Sequence, residues 1–342
     1  MDAAQKIGLI KQGTAEIVTE EELAQLIQDN PHPTAYFGVA VTGKVHIGYF
    51  VPLVKIRDFL GAGLKVKILL ADIHAHLDDQ KTPFELLDKR VKYYKQAIAA
   101  LLTSIGADVQ RIQFVKGSDF QLSKEYTTDM YRLAARNTLE RTRRAASEVV
   151  RFGSQPKLSG FIYPILQALD EQYLAADIQL GGLDQRKILM FCRENLPRIG
   201  YKARIEIMTP MLPGLTGEKM SASRESTKID ILEDEDSIRN KVKSFYCPEG
   251  KVENNGVLAF AKQVIFPLSE GPITVERPAK FGGPLTFETY AQLEESFTKL
   301  KVHPLDLKSL VADQVQERMK IVRKQFKGKD NLIQEAFPEN AA

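Results

Sequence analysis

The sequence predicts an α/β protein: a Rossmann-like, doubly wound parallel sheet carrying a helical insertion, followed by an all-helical C-terminal domain. Three observations lead there. Short apolar runs alternate with segments of helical spacing through the first two thirds of the chain, the pattern of successive βαβ units. A glycine-marked turn, Thr42-Gly43-Lys44, sits where one such run ends. Beyond Asp230 the alternation stops and only helical spacing continues.

Taken in order, the elements have local causes. Thr19-Glu20-Glu21-Glu22 before Leu23, Leu26 and Ile27 is a capping box that opens an N-terminal helix. Residues 34–41 form an apolar run, and after the turn Ile47, Phe50, Val51 and Val54 fall on one helical face, so strand, tight turn and helix follow one another. Lys65 to Asp72 is the next strand, Pro83 to Ile105 a long helix with proline in its first turn, and Arg111 to Val115 a strand. Asp177 to Leu180 and Arg204 to Met208 are further strands, with a helix from Gln185 to Leu196 between them. From 118 to 160 a charged helical stretch replaces the strand signals and reads as an insertion between the halves of the sheet. The change of pattern places a boundary near Lys228, giving a sheet-bearing domain 1–228 and a helical domain 229–342.

A chain of 342 residues with 44% hydrophobic content can bury the cores of two domains. Its net charge of +3 excludes a histone-like polycation, so contact with nucleic acid would come from local basic stretches such as Arg141-Thr142-Arg143-Arg144. Cys192 and Cys247 form neither a CxxC zinc pattern nor a disulfide framework. No apolar run approaches the ~20 residues of a membrane helix, and Met1 to Gln12 lacks a signal-peptide pattern. The expectation is a cytoplasmic, soluble protein with no membrane partner.

Two separated motifs suggest one nucleotide site. In the first, Gly43 and Gly48 let the backbone approach a ligand closely, the helix start after them presents free N–H groups to phosphate, and His46 can donate to a phosphoryl oxygen as charge builds. In the second, Gly214 to Ser223 is a glycine- and serine-rich loop in which Lys219 can reach a polyphosphate. Either alone is an ordinary surface feature; together they point to ATP. A third pattern is a polar stripe. Tyr163, Gln167 and Asp170, at i, i+4 and i+7, share one helix face, while Ile162, Ile165, Leu166 and Leu169 cover another. Such a stripe usually just faces water, but the glycine pair Gly181-Gly182 at a strand end, with Asp184 and Gln185, follows it here.

At these residues the chain resembles the class I aminoacyl-tRNA synthetases, whose HIGH and KMSKS motifs match His46-Ile47-Gly48-Tyr49 and Lys219-Met220-Ser221-Ala222-Ser223. Tyr49 replaces the second histidine of HIGH, and Ala222 stands where KMSKS has its second lysine. Within that class the chain is most similar to the tyrosyl enzymes of archaeal and eukaryotic cytosolic type, through Ala71 to Asp78, Gly117 to Leu122, Ile162 to Gln167, Gly181 to Lys187 and Lys280 to Gly283. The resemblance implies that Tyr36 and Asp170 meet the substrate phenol, that Tyr163, Gln167 and Gln185 surround its ammonium, and that Leu69, His74, Phe120 and Gln121 line the ring pocket. It assigns Gly182 and Asp184 to the adenosine ribose and Gly43, His46, Gly48, Lys219 and Met220 to ATP. His46, Lys44 and Lys219 would act on the phosphates, with Ser221 and Ser223 holding the loop.

The implied activity is tyrosine activation by ATP, which brings Mg²⁺ with it, followed by transfer to the 3′-terminal adenosine of tRNA(Tyr). No tightly bound, protein-ligated metal is expected. The resemblance further implies a homodimer formed through 118–160 and an anticodon-binding role for the helical domain, with Phe281, His303 and Asp306 at the first anticodon base. Arg143, Arg144 and Arg186 are acceptor-stem candidates. The alternatives are a tryptophanyl enzyme, which shares the fold and both ATP motifs, and a non-catalytic RNA-binding paralogue. Asp170 with Tyr36 argues against the first; intact His46, Lys219 and Asp184 argue against the second.

Overall fold

In the computed structural model, which describes residues 1–150, 152–214 and 228–338, six strands form one sheet in the order β1-β6-β5-β2-β3-β4. They are β1 (Glu16–Val18), β2 (Thr34–Ala40), β3 (Lys65–Ala71), β4 (Ile112–Lys116), β5 (Ile178–Gly182) and β6 (Ile205–Thr209). The last five pair in parallel, and β1 closes one edge antiparallel to β6. At three residues β1 is too short to show a period, and the sequence reading passed over it. The chain lays down β2, β3 and β4 in one direction, then returns to the other side of β2 for β5 and β6. That reversal makes the gap between β2 and β5 the switch point of a doubly wound sheet, where the loops at the strand ends diverge and leave a crevice.

Strand alternation decides which side chains reach that crevice. Ala35, Phe37 and Val39 of β2 enter the large apolar cluster with Ile68, Leu70, Ile178 and Leu180, against the helices Phe50–Gly61 and Leu87–Ser104. Tyr36 and Leu69 point to the opposite face and pack with Leu174, just beyond the helix Leu158–Tyr173. The insertion folds as three helices, Ser118–Gln121, Lys124–Ala134 and Leu139–Ala146.

Beyond residue 228 the chain is mainly helical, with Glu235–Ser244, Gly256–Phe260, Tyr290–Thr298, Pro304–Phe326 and Asp330–Ala336. One correction applies to the all-helical expectation: β7 (Ile273–Val275) and β8 (Leu285–Phe287) form a two-stranded antiparallel ribbon. Strands of three residues set between Pro272, Pro278 and Pro284 leave no alternating pattern to read. Helix Pro304–Phe326 packs along Leu87–Ser104, and a single apolar cluster draws on both sides of residue 228.

Candidate active site

A cavity of about 350 Å³ opens at the carboxyl ends of β2 and β5. Its wall brings together Tyr36, Leu69, His74, Tyr163, Gln167, Asp170 and Gln185 with a second group, His46, Gly48, Gly182 and Asp184. Residues from four strands and the helix Leu158–Tyr173 therefore meet where the topology predicts a ligand.

Asp170 is the centre of the first group. Its Oδ1 accepts a hydrogen bond from Gln121 Nε2 at 2.8 Å. The Tyr126 hydroxyl lies 2.8 Å from the same oxygen and 2.8 Å from the Leu166 carbonyl, with one proton to give. Asp170 Oδ2 has no hydrogen-bond partner; His74 Nε2 lies 3.6 Å from it. The Tyr36 hydroxyl is also without a partner, and both residues are 1% exposed. Burial lifts the Asp170 carboxyl to about 7 against the pull of Gln121 and Tyr126. Burial also depresses the His74 imidazole to about 3, so His74 is neutral. The second amide proton of Gln121 faces His74 Nδ1 at 3.4 Å, which leaves Nε2 as the protonated nitrogen. Two buried orphan atoms, a hydroxyl and a carboxylate oxygen, thus face one cavity, and a ligand group able both to donate and to accept would satisfy both.

Around Tyr163 the cavity turns polar. Gln167 Nε2 donates to Gln185 Oε1 at 3.3 Å, and the Tyr163 ring meets His74 edge-on at 4.6 Å. Asp78 and Gln179, not singled out from the sequence, also line the cavity, each buried and with an oxygen lacking a partner. Gly182 has a steric reason: a Cβ there would stand 2.6 Å from Asp184 Oδ1 and 3.0 Å from Met211 Sδ. Phe120 and Gln121 do not line the cavity as expected. They stand behind its wall, Gln121 holding Asp170 and Phe120 packed on Tyr126 at 5.7 Å. Tyr126, which shares that bond to Asp170, was missed because it lies 44 residues away in sequence.

The second group is largely backbone. His46 caps the short helix Ile47–Tyr49, its Nδ1 accepting from the Gly48 N–H at 3.1 Å. Burial, reinforced by the charge of Lys228, lowers the His46 imidazole to about 4. It is therefore a neutral ring whose Nε2–H is available to donate. Residues 45–47 pair with the chain at 229–231, Ile47 donating to the Ile229 carbonyl at 3.0 Å and Ile231 to the Val45 carbonyl at 3.2 Å. On the other side Thr209, Pro210, Met211 and Leu212 line the cavity. Both described ends of the segment carrying the second motif thus border the site; Lys219, Met220, Ser221 and Ser223 themselves lie outside the described residues. Gly43 and Lys44 are not brought into the cavity wall, and Lys44 is exposed at the turn.

The remaining candidates lie on outer surfaces. Arg143 and Arg144 are exposed on Leu139–Ala146, and Arg186 is bound to Glu16 through two bonds of 2.7 and 2.9 Å. Phe281 is 61% exposed, and His303 caps the helix whose first turn holds Asp306. Arg277 ties the two segments together, its guanidinium donating to the Gly283 carbonyl at 2.9 Å and to the Lys301 carbonyl at 2.6 Å. That arginine carries no motif and was not legible in the sequence.

Comparison with known proteins agrees with this geometry. Residues 28–320 match the family described as tRNA synthetases class I (W and Y). A tyrosine–tRNA ligase of Haloarcula marismortui is 46% identical over 342 residues, covering 99% of each chain. The cytoplasmic tyrosine–tRNA ligase of Danio rerio is 45% identical over 98% of this chain, which spans 63% of that longer protein. Among solved structures, the tyrosyl-tRNA synthetase of Archaeoglobus fulgidus complexed with L-tyrosine superposes with a TM-score of 0.90 at 42% identity, over 95% of this chain and 99% of that one. A tryptophanyl-tRNA synthetase of Aeropyrum pernix shares the fold, with a TM-score of 0.70 at 15% identity over 93% of this chain and 84% of that one. The chain belongs to the class I tRNA synthetases for tryptophan and tyrosine, and within them to the tyrosyl-tRNA synthetases of archaeal and eukaryotic type.

Proposed function

We propose that this tyrosyl-type aminoacyl-tRNA ligase binds L-tyrosine with its phenol between Tyr36 and Asp170. The supporting observation is the pair of buried orphan atoms. A phenol hydroxyl can donate to Asp170 Oδ2 and accept from Tyr36; an indole N–H can only donate, and a phenyl ring can do neither. Because leaving a buried polar group unpaired costs about 1–3 kcal/mol, the site favours tyrosine over both competitors. Tyr163, Gln167 and Gln185 would receive the ammonium, and Leu69 and His74 would flank the ring.

In the first step the tyrosine carboxylate attacks the α-phosphorus of ATP, forming tyrosyl-adenylate and releasing pyrophosphate. A ribose hydroxyl of the terminal adenosine of tRNA then attacks the tyrosyl carbonyl, forming the ester and releasing AMP. No protein nucleophile is needed, so the protein contributes placement and charge stabilisation. Gly182 and Asp184 would hold the ribose, while His46, acting as a neutral N–H donor, would meet the phosphates; Gly48, whose own N–H is bonded to His46 Nδ1, would let the nucleotide approach the backbone. Lys44 and Lys219 would add positive charge, with Met220 against the nucleotide and Ser221 and Ser223 holding the loop. Mg²⁺ would enter with the ATP substrate, carried on its phosphate oxygens.

The division into a catalytic domain 1–228 and an anticodon-binding domain 229–342 belongs to the same reading. Arg277 holds Phe281 and His303 on neighbouring segments, which supports a shared contact with one splayed base. Leu122, Tyr131 and Leu139 are exposed apolar residues on the insertion, which supports 118–160 as the homodimer interface. Arg143, Arg144 and Arg186 would reach the acceptor stem. No helix among the described residues is long and apolar enough to cross a membrane; a cytoplasmic location is proposed from relatives named as cytoplasmic. ATP–pyrophosphate exchange tests the reading. Exchange should depend on tyrosine, with tryptophan inactive; exchange driven by tryptophan, or none with either, would overturn it.

A further inference from the structure

Strand alternation lays out the floor of the amino-acid part of the cavity. Tyr36 of β2 and Gln179 of β5 are partners in register, so their side chains leave the same face of the sheet one strand spacing apart, about 4.8 Å. Two residues further along each strand, on that same face, stand Gly38 and Gly181, and all four residues line the cavity. The glycines leave the floor bare; a Cβ on Gly181 would stand 3.1 Å from Gln185. A flat ring can lie over them with its far end against the row that Tyr36 and Gln179 form.

The two flanks of Tyr36 differ. Toward β3 the wall is Leu69, which offers no polar atom. Toward β5 it is Gln179, 2% exposed, whose Oε1 has no hydrogen-bond partner. Glu206, next in register on β6, is fully buried, and neither of its carboxyl oxygens has a partner, so it does not hold the amide. A bound phenol does not satisfy the amide oxygen either. It has one proton, given to Asp170, and Gln179 Oε1 needs a second donor.

We propose that Gln179 is a specificity-determining residue that reads the ring carbon beside the hydroxyl. Besides tyrosine itself, the site takes tyrosines that carry a hydrogen-bond donor at ring position 3, an amino or a hydroxyl group, in preference to substituents of the same size that cannot donate. Such a donor relieves a buried, unpaired acceptor, whereas an apolar group leaves it stranded. This inference rests on the phenol lying between Tyr36 and Asp170.

The test is ATP–pyrophosphate exchange with tyrosine, 3-aminotyrosine and 3-methyltyrosine, the last two differing in the donor and hardly in size. In the parent, kcat/KM should favour the amino over the methyl compound by about tenfold, the size expected from one hydrogen bond. In Gln179→Leu, which keeps the bulk and loses the amide, that ratio should fall to within about twofold of one. Gln179→Met should show the same fall, and it carries the test if leucine is not tolerated by the fold. Each ratio is taken within one protein, so a general loss of activity cancels. A parent that uses the two analogues equally, or uses neither, would overturn the proposal. So would a preference that survives both substitutions, which would give the amino group to another part of the wall. Tyrosine-dependent exchange by the parent keeps the phenol site standing in those cases; a parent without it would remove both.

Discussion

The two parts of the cavity are built on different principles. The amino-acid part is made of side chains: Asp170, Tyr36 and His74 are buried polar groups in the cavity wall whose unpaired atoms define what can bind. The nucleotide part is largely backbone, a turn at 42–45 held from behind by Arg90, Tyr94 and Tyr93 and a helix start capped by His46. Selectivity in the first is set by atoms in the wall, where one missing acceptor is felt at once. Chemistry in the second depends on geometry held from outside the wall.

That contrast can be broken at either side. The largest effect is expected at the nucleotide part: His46→Ala should slow adenylate formation by a factor on the order of 10² or more, with equilibrium tyrosine binding nearly unchanged. Lys219→Ala should do the same. Equal losses in tyrosine affinity would show that the two parts are not separable. A smaller effect is expected far from the cavity. Asp306→Ala should cost roughly 1–3 kcal/mol in discrimination of the first anticodon base, read as poorer use of tRNA, with pyrophosphate exchange untouched. Exchange that collapses in this variant would make Asp306 a support for the helix beginning at Pro304.

The smallest effect is a pH dependence confined to the amino-acid part. With its carboxyl raised to about 7, Asp170 is partly protonated at neutral pH in the free protein. A phenol that donates to it favours the charged form and lowers that value, so binding releases a proton below about pH 7. Tyrosine affinity should therefore climb as pH rises through about 7 and level off above it, by at most about tenfold per unit. Calorimetric titrations at several pH values would show the trend, and Asp170→Asn should flatten it.

The sequence was legible where a residue's role is local. Strand runs, the turn at Gly43 and the stripe Tyr163-Gln167-Asp170 all declare themselves within a few residues, and the structure assembles them as the pattern suggests. It was least legible where a role depends on long-range contact. Tyr126 reaches Asp170 across 44 residues, Tyr94 reaches Gly43 across 51, and Arg277 reaches Lys301 across 24. A buried tyrosine or arginine in a helix looks like core from its spacing alone. β1 and the β7–β8 ribbon escaped for a different reason, being held by pairing in strands too short to carry a period.

The central claim is that Asp170 Oδ2 and the Tyr36 hydroxyl together recognise a phenol. It is tested most directly by pyrophosphate exchange with tyrosine and with phenylalanine, in the parent and in Asp170→Asn, scored as the ratio of kcat/KM for the two amino acids. The parent should exclude phenylalanine strongly. The variant, which exchanges a charged acceptor for an amide of the same size, should lose about 10- to 100-fold of that ratio, chiefly through weaker use of tyrosine, with the protein still folded. A variant that excludes phenylalanine as well as the parent does would contradict the account and return Asp170 to a structural role beneath Gln121 and Tyr126.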